Sequence, residues 1–262
     1  MAESFLALLT DFGLEDPYVG VVKGVIYSIN PKATVIDLTH QIPPQDIKKG
    51  AFFLASSIFF LPKMTVVMAI VDPGVGGKRR PVVLRAFDRF FVAPDNGLLT
   101  GILLMNDPLQ KAWMIERQDL FLEPVSTTFH ARDIFAPTAA WLSLGNDPEA
   151  LGTEIKDLVT LKWDKPIIEK DALKGQVIVI DHFGNLITNI HKRDLTSITS
   201  GKKPWVIIKD KKLPIVTTYA QVEKGKPLAL IGSSDYLEIS INMGNAAEVL
   251  EAGEGEVVKV TC

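Results

Sequence analysis

The run TVVMAIV, residues 65–71, carries no polar side chain after its first threonine. A strand with one face in water alternates polar and apolar residues, so an unbroken run belongs to a strand covered on both faces. Such strands occur where helices pack on each side of a mostly parallel sheet, and the flanking segments fit that scheme. Residues 5–9 (FLALL) and 34–38 (TVIDL) read as two more strands. Between them Val22, Val25, Ile26 and Ile29 recur at helical spacing over residues 18–29, and Asn30-Pro31 stops the helix. Asp46 is placed to cap a second helix running to Leu61. Its greasy part, residues 51–61, is interrupted by Ser56 and Ser57 and ended by Pro62, and reads as a buried helix. Residues 82–86 and 89–93 read as strands joined by a turn at Phe87-Asp88. After Asp95-Asn96-Gly97 a helix is expected to Leu104, then a strand at 111–116 and a helix over 132–144 with Pro137 in its first turns. This alternation predicts a layered α/β domain with a mostly parallel sheet over residues 1–164.

The pattern then changes. Residues 176–181, 186–190, 205–209, 228–231, 236–241 and 256–261 are short strand-like runs separated by the turn signals HFGN, GKKP, EKGKP, GSSD and EAGEG. Short strands with such spacers predict a small β-barrel or sandwich domain over residues 176–262. Residues 165–175, charged and containing Pro166, read as the linker. Lys202, Lys203, Lys209, Lys211 and Lys212 lack interleaved aromatics and read as a solvated face.

Composition narrows the function. A chain of 262 residues, 47% hydrophobic and 23% charged, can bury a sizeable core, which excludes a disordered chain and a stapled mini-protein. Twenty-eight basic against 31 acidic residues leave a net charge of −3, so no field of one sign draws in nucleic acid or an anionic membrane. One cysteine, Cys262, excludes a disulfide framework, an iron–sulfur cluster and a Cys-rich zinc site. None of His40, His130, His182 and His191 sits in an H-x-H or H-E-x-x-H motif. No window approaches ~18 uninterrupted apolar residues, and residues 1–11 carry no basic leader, so a cytoplasmic protein is expected.

In an open α/β sheet, ligands bind beyond the carboxyl ends of the strands. Three loops qualify: Thr10-Asp11-Phe12-Gly13, Asp72-Pro73-Gly74-Val75-Gly76-Gly77 and Pro94-Asp95-Asn96-Gly97. Their aspartates can accept from a ribose diol, ligate a metal or cap the following helix. The glycine loop is not a phosphate motif. Counted from Gly74, a G-x-G-x-x-G pattern meets Arg79 at its third glycine, and Gly77-Lys78 is followed by Arg79 rather than Ser or Thr. These glycines read as allowing a tight turn beside something small. In IDHFGN, residues 180–185, Asp181 and Asn185 either read a polar ligand or brace a hairpin. His130, just before a helix in TTFHARDIF, is either structural or catalytic.

The segments TDFGLEDPYVGVVKGVI (10–26), INP (29–31), THQIPPQDI (39–47), VDPGVGGKRR (71–80) and PDNGLLT (94–100) occur in order. TFHARDIFAPTAA (128–140), IDHFGNLITNI (180–190) and GSSDYLEISINMGNAAE (232–248) follow. Together they resemble the S-adenosyl-L-methionine (SAM) hydroxide adenosyltransferases, or SAM hydrolases, relatives of the SAM-dependent fluorinases and chlorinases. The resemblance implies an N-terminal α/β domain, a C-terminal barrel, and a homotrimer whose sites lie between one subunit's N-terminal domain and its neighbour's barrel. It implies hydrolysis of SAM to adenosine and L-methionine by water attacking the ribose C5′, with no cofactor and no metal. Asp72, Arg79 and His130 match the family's water-handling triad. By the same resemblance Asp11 holds the ribose hydroxyls, and Phe183 and Asn185 meet the adenine, with backbone near Ala246. Asp16, Asp181 and Ser233 hold the methionine end, and Thr128, Phe129 and Tyr236 complete the substrate contacts. Gln45 and Ile187 stand where the halogenases carry tryptophans, Ala131 where the fluorinases carry a fluoride-binding serine, and Asp72 where they carry a tyrosine.

Attack at C5′ of a sulfonium expels a neutral thioether, so the leaving group needs neither an acid nor a metal. What remains is to orient water and manage its proton. Arg79 stays charged, His130 or Asp72 can accept the proton, and the Asp72 carboxylate repels halide. Two other readings compete: a metal-dependent hydrolase of a nucleoside-like substrate using Asp11, Asp72, Asp95 and His130, and a non-catalytic SAM or adenosine binder.

Overall fold

The unbroken apolar runs become the middle strands of a seven-stranded sheet in a computed structural model that describes residues 4–169, 172–196 and 204–261. Its strands are β1 (Phe5–Thr10), β2 (Thr34–Thr39), β3 (Val66–Ile70), β4 (Pro81–Ala86), β5 (Arg89–Pro94), β6 (Lys111–Met114) and β7 (Glu154–Ile155). They lie in the order β2-β1-β3-β5-β4-β6-β7. The first four in that order run parallel, and β4, β6 and β7 add an antiparallel edge. Alternate residues of β1 supply two cores. Leu6 and Leu8 pack with α1 (Tyr18–Ile29) and α4 (Ala136–Ser143), whereas Ala7 and Leu9 pack with α2 (Ile47–Ser57) and α3 (Thr100–Leu103). Burial on both faces is why β1 and β3 show no polar alternation. β4 and β5 are joined by a two-residue turn, with Phe87 at φ 53° and Asp88 at φ 55°, the primed geometry that suits strand twist.

Two helices depart from expectation. Asp46 caps α2, its carboxylate accepting from Lys49 N at 2.9 Å, but the helix ends at Ser57 rather than Leu61. Both Ser56 and Ser57 hydroxyls donate to the Phe53 carbonyl, which bends the chain into a 3-10 turn at Ile58–Phe60 and leaves Phe59 and Phe60 exposed. The expected helix over 132–144 opens instead with a π-helical turn at Ala131–Phe135 before α4. Pro137 has no N–H for the Asp133 carbonyl four residues back, and the Leu122 amide takes that acceptor at 2.9 Å.

The chain divides into two compact units, up to Lys162 and from Trp163 onward. The second unit is an antiparallel sheet of β8 (Ile167–Glu169), β9 (Ala172–Ile180), β10 (Leu186–His191), β11 (Trp205–Ile208), β12 (Lys211–Pro214), β13 (Pro227–Ile231), β14 (Tyr236–Ile241) and β15 (Val257–Thr261). Two short helices, α5 (Lys192–Thr196) and α6 (Ala246–Val249), complete it. A bridge between Ile215 and Ala229, with Val216 N donating to Ala229 O at 2.9 Å, ties the exit of β12 to β13 and nearly closes the barrel. Within the stretch read as a linker, residues 167–169 and 172–175 are barrel wall: β8 pairs with β9, and β9 runs between β15 and β10. Its lysine is the outward member of an alternation, with Leu173 and Gly175 inward and Lys174 exposed. The β12 strand was hidden by its lysines. Lys212 Nζ lies 4.8 Å above the Trp205 ring, so this face does carry an aromatic partner; Lys202 and Lys203 fall outside the described residues. Among the described residues no helix is long and apolar enough to cross a membrane.

Candidate active site

Asp72 follows β3 and opens two successive tight turns, with Val75 N donating to Asp72 O at 3.2 Å and Gly77 N to Gly74 O at 3.0 Å. Gly76 sits at φ +75°, and a Cβ there would lie 2.2 Å from the Thr127 carbonyl, so only glycine lets this loop touch the segment that carries His130. The turns bring Arg79 back onto Asp72. Its Nε donates to both carboxylate oxygens at 3.1 and 2.9 Å, and its Nη2 to Oδ2 at 2.6 Å. The same Nη2 lies 2.8 Å from His130 Nδ1, and the guanidinium stacks 5.2 Å from the Phe135 ring centre. Both charged side chains are buried, Arg79 9% and Asp72 6% exposed.

This contact sets the histidine tautomer. A guanidinium has donors only, so Nδ1 must be the acceptor and the ring proton sits on Nε2. Burial and the neighbouring Arg79 charge push His130 below its ordinary range, against the weaker pull of Asp72 and Asp133. His130 is therefore a neutral hydrogen-bond donor at Nε2.

Asp11, Asp72, Thr128, Phe129, His130 and Ala131 share a cavity of about 280 Å³, with Gln45 also on its wall. Asp11 does not cap α1, whose N-terminus at Pro17 has no side-chain cap. Its Oδ2 accepts from Gln45 N at 2.8 Å, and Gln45 takes the left-handed φ of 69° to present that amide. Phe129 meets Tyr18 and Phe12 edge-on at 5.2 and 6.0 Å, and Arg132 lies 5.3 Å over its face. Asp16 is exposed in the loop before α1 and does not line the cavity. Asp95 is not there either. It is buried and holds Arg80 through contacts of 2.9 and 2.6 Å, and accepts from Val159 N at 2.8 Å. The four-ligand metal reading thus loses Asp95, and among the described residues no group of three or more His, Cys, Asp or Glu is placed to hold a metal ion.

In the second unit Asp181 braces its own hairpin. Oδ1 accepts from Phe183 N and Asn185 N at 2.8 and 2.9 Å, and Oδ2 from Asn185 Nδ2 at 2.9 Å. Gly184, at φ +81°, lies so close to Asn245 that a Cβ would fall 2.0 Å from its Oδ1, and Ala247 N donates to Gly184 O at 2.9 Å. Asp181, Phe183, Asn185 and Ala246 are thereby gathered, with Asn185 and Ala246 buried and Phe183 72% exposed. Ser233 is exposed in the β13–β14 turn, and Tyr236 lies opposite His191 on β10, their rings 5.2 Å apart. Sequence reasoning missed Glu238. This buried carboxylate accepts from Tyr219 Oη and Ser240 Oγ, both at 2.7 Å and both neutral donors. Burial, then Glu238, hold the Tyr219 hydroxyl well above the usual phenol range. The available signal was a glutamate inside the otherwise buried strand YLEISI.

Sheet, cleft and barrel define a two-domain α/β protein with a polar site at the carboxyl ends of β1 and β3. Residues 6–152 match the SAM hydroxide adenosyltransferase N-terminal domain and residues 175–259 the C-terminal domain of the same name, so the chain belongs to that family. It is 40% identical to the (R)-S-adenosyl-L-methionine hydrolase of Thermus thermophilus, over 96% of this chain and 97% of that one. It is 28% identical to the fluorinase of Actinopolyspora mzabensis, over 98% and 96%. A crystal structure of an uncharacterized conserved protein from Thermotoga maritima superposes with a TM-score of 0.92 at 36% identity, covering 98% of this chain and all of the other.

Proposed function

We propose that this protein hydrolyses SAM to adenosine and L-methionine, with water attacking the ribose C5′. The oxygen–C5′ bond forms as the C5′–sulfur bond breaks, and the bonding pair leaves on sulfur as a neutral thioether. One proton of the water must go elsewhere. The observation that carries the reading is the polarity of the partly buried triad: Arg79 fills His130 Nδ1, leaving His130 a donor and Asp72 the one acceptor among the three. Arg79 takes both lone-pair sites of Asp72 Oδ2 but only one, at 3.1 Å, of Oδ1, so Oδ1 takes the proton and His130 Nε2–H orients the water. Asp11 suits the ribose diol, since Gln45 occupies Oδ2 and leaves Oδ1 open. Asp181 and Glu238, both satisfied by neutral donors, suit the positive methionine end. No metal or cofactor enters this scheme, and its setting is the cytoplasm. Ala131 offers no hydroxyl to a halide, and a desolvated anion without donors is costly.

The test is incubation with SAM in heavy-oxygen water, with chelator and with high chloride. Adenosine labelled at its 5′-hydroxyl, plus methionine, is expected in every arm. Intact SAM with folded protein, loss of activity on chelation, unlabelled adenosine or a 5′-chloro product would each overturn the scheme.

We further propose a homotrimer in which the Phe183–Asn185 hairpin of one copy completes the cavity of its neighbour. The family resemblance and the exposed Phe183 ring support it. Sedimentation equilibrium should return three times the chain mass; a monomer that turns over SAM would exclude this assembly.

A further inference from the structure

A line of polar side chains runs behind Asp11 that the hydrolytic scheme does not use. Thr10, the last residue of the otherwise apolar β1, is 1% exposed, and His40, just past β2, is 4% exposed. Thr10 Oγ1 lies 2.8 Å from His40 Nδ1, His40 Nε2 lies 3.1 Å from Asp37 Oδ1, and Lys23 Nζ donates to Asp37 Oδ2 at 2.6 Å. The line therefore leads from a lysine on α1 to a buried hydroxyl one residue before Asp11. A register shift makes it possible: Leu8 pairs with Asp37 but Leu9 with Thr39, so β2 carries an extra residue that re-aims its end.

The donors and acceptors have one consistent order. Burial pushes the Asp37 carboxyl up, but Lys23 and His40 together outweigh it and hold the group below the usual carboxylate range. His40 Nε2 faces the Asp37 carboxylate at 3.1 Å without the alignment of a hydrogen bond, and a ring proton on that side leaves Nδ1 to accept from the Thr10 hydroxyl. The Thr10 oxygen then accepts from Phe12 N at 3.3 Å, while the His40 carbonyl accepts from Gly13 N at 2.7 Å. Both amides that follow Asp11 are thus held by this pair. A buried hydroxyl and a buried ring nitrogen are each costly without a partner, so the Thr10–His40 Nδ1 contact favours a single arrangement of this strand end.

We propose that Thr10 and His40 are positioning residues that fix the backbone on either side of Asp11 and so set affinity for the nucleoside part of the substrate. This rests on the SAM reading and on Asp11 as the ribose contact. Neither residue lines the cavity, so the effect appears in binding and not in the chemical step.

The experiment compares Thr10→Val, which deletes the hydroxyl at nearly constant volume, with Thr10→Ser, which keeps it. Adenosine calorimetry, SAM kinetics and amide exchange are measured, with Asp11→Ala setting the scale of a lost ribose contact. Thr10→Val should weaken adenosine binding about tenfold, raise KM equally and leave kcat within about twofold, as loss of roughly one hydrogen bond implies. The Phe12 and Gly13 amides should exchange about tenfold faster, and Thr10→Ser should restore all three readouts. Unchanged adenosine affinity in folded Thr10→Val, a fall in kcat at constant KM, or no restoration by serine would overturn the proposal. If Thr10→Val does not fold, His40→Leu, which removes the Nδ1 partner of Thr10, carries the test: weaker adenosine binding with faster Phe12 exchange supports the proposal, and wild-type affinity and protection overturn it. Should the wild type leave SAM intact, the hydrolase reading fails, while amide exchange still decides whether Thr10 holds the loop.

Discussion

Asp72→Asn is expected to lower kcat by about 10²–10⁴-fold while SAM binding stays within a few-fold, the usual signature of a lost proton acceptor. Asparagine keeps the volume and one acceptor oxygen, so the loop should stay in place. It cannot hold a proton. His130 cannot take over, because Arg79 occupies its Nδ1 and its Nε2 already carries hydrogen. Single-turnover measurements with saturating SAM separate this from slow product release. A kcat within threefold of wild type would assign the proton to solvent and leave Asp72 only an orienting role. The pH dependence has a definite sign as well. Native His130 resists protonation, whereas the unfolded chain accepts it below about 6.5, so the unfolded state binds more protons there and stability falls as pH drops through that value. Turnover should accordingly hold steady above pH ~6.5 and fail only on the acid side.

How far the sequence reaches depends on whether a feature is local. The apolar run in β3 and the helical spacing of α1 are read within one element, and α1 spans Tyr18–Ile29 as its periodicity and Asn30-Pro31 require. The Asp72–Arg79 pair lies within one loop, but His130 stands 51 positions after Arg79, and nothing short of the family resemblance joins them. Asp95 shows the converse error. It opens a loop much as Asp72 does, yet Arg80, the residue beside Arg79, claims it together with the Val159 amide. Two adjacent arginines thus point to two aspartates, one in the cavity and one in the scaffold, a division that loop spacing does not encode. The misread linker has a different cause: a barrel strand with one wet face shows its lysine as plainly as a linker does, and only pairing with β15 and β10 tells them apart. Glu238 was overlooked because burial in a strand is normally an argument against charge.

Arg79→Met should destabilise the protein by roughly 3–5 kcal/mol, the cost of removing one partner from a buried ion pair. Methionine preserves much of the packing, since its thioether can lie over the Phe135 ring as the guanidinium does. What it removes is charge and donors. Asp72, 6% exposed, would keep its negative charge without the three short contacts from Arg79, and His130 Nδ1 would lose its donor. The double variant Arg79→Met/Asp72→Asn should recover a large part of that loss, because no unpaired charge is then buried, while remaining inactive. Urea denaturation of the wild type, both single variants and the double variant closes the cycle, and the coupling between the two positions should exceed about 1 kcal/mol, as expected for residues in direct contact. Additive losses, or a double variant no more stable than Arg79→Met, would mean that water already satisfies Asp72 and that Arg79 serves the reaction without holding the site together. The expected outcome ties stability to the proposed function through one contact: the arginine that holds Asp72, the proposed proton acceptor, also occupies the histidine nitrogen that could otherwise compete for the proton.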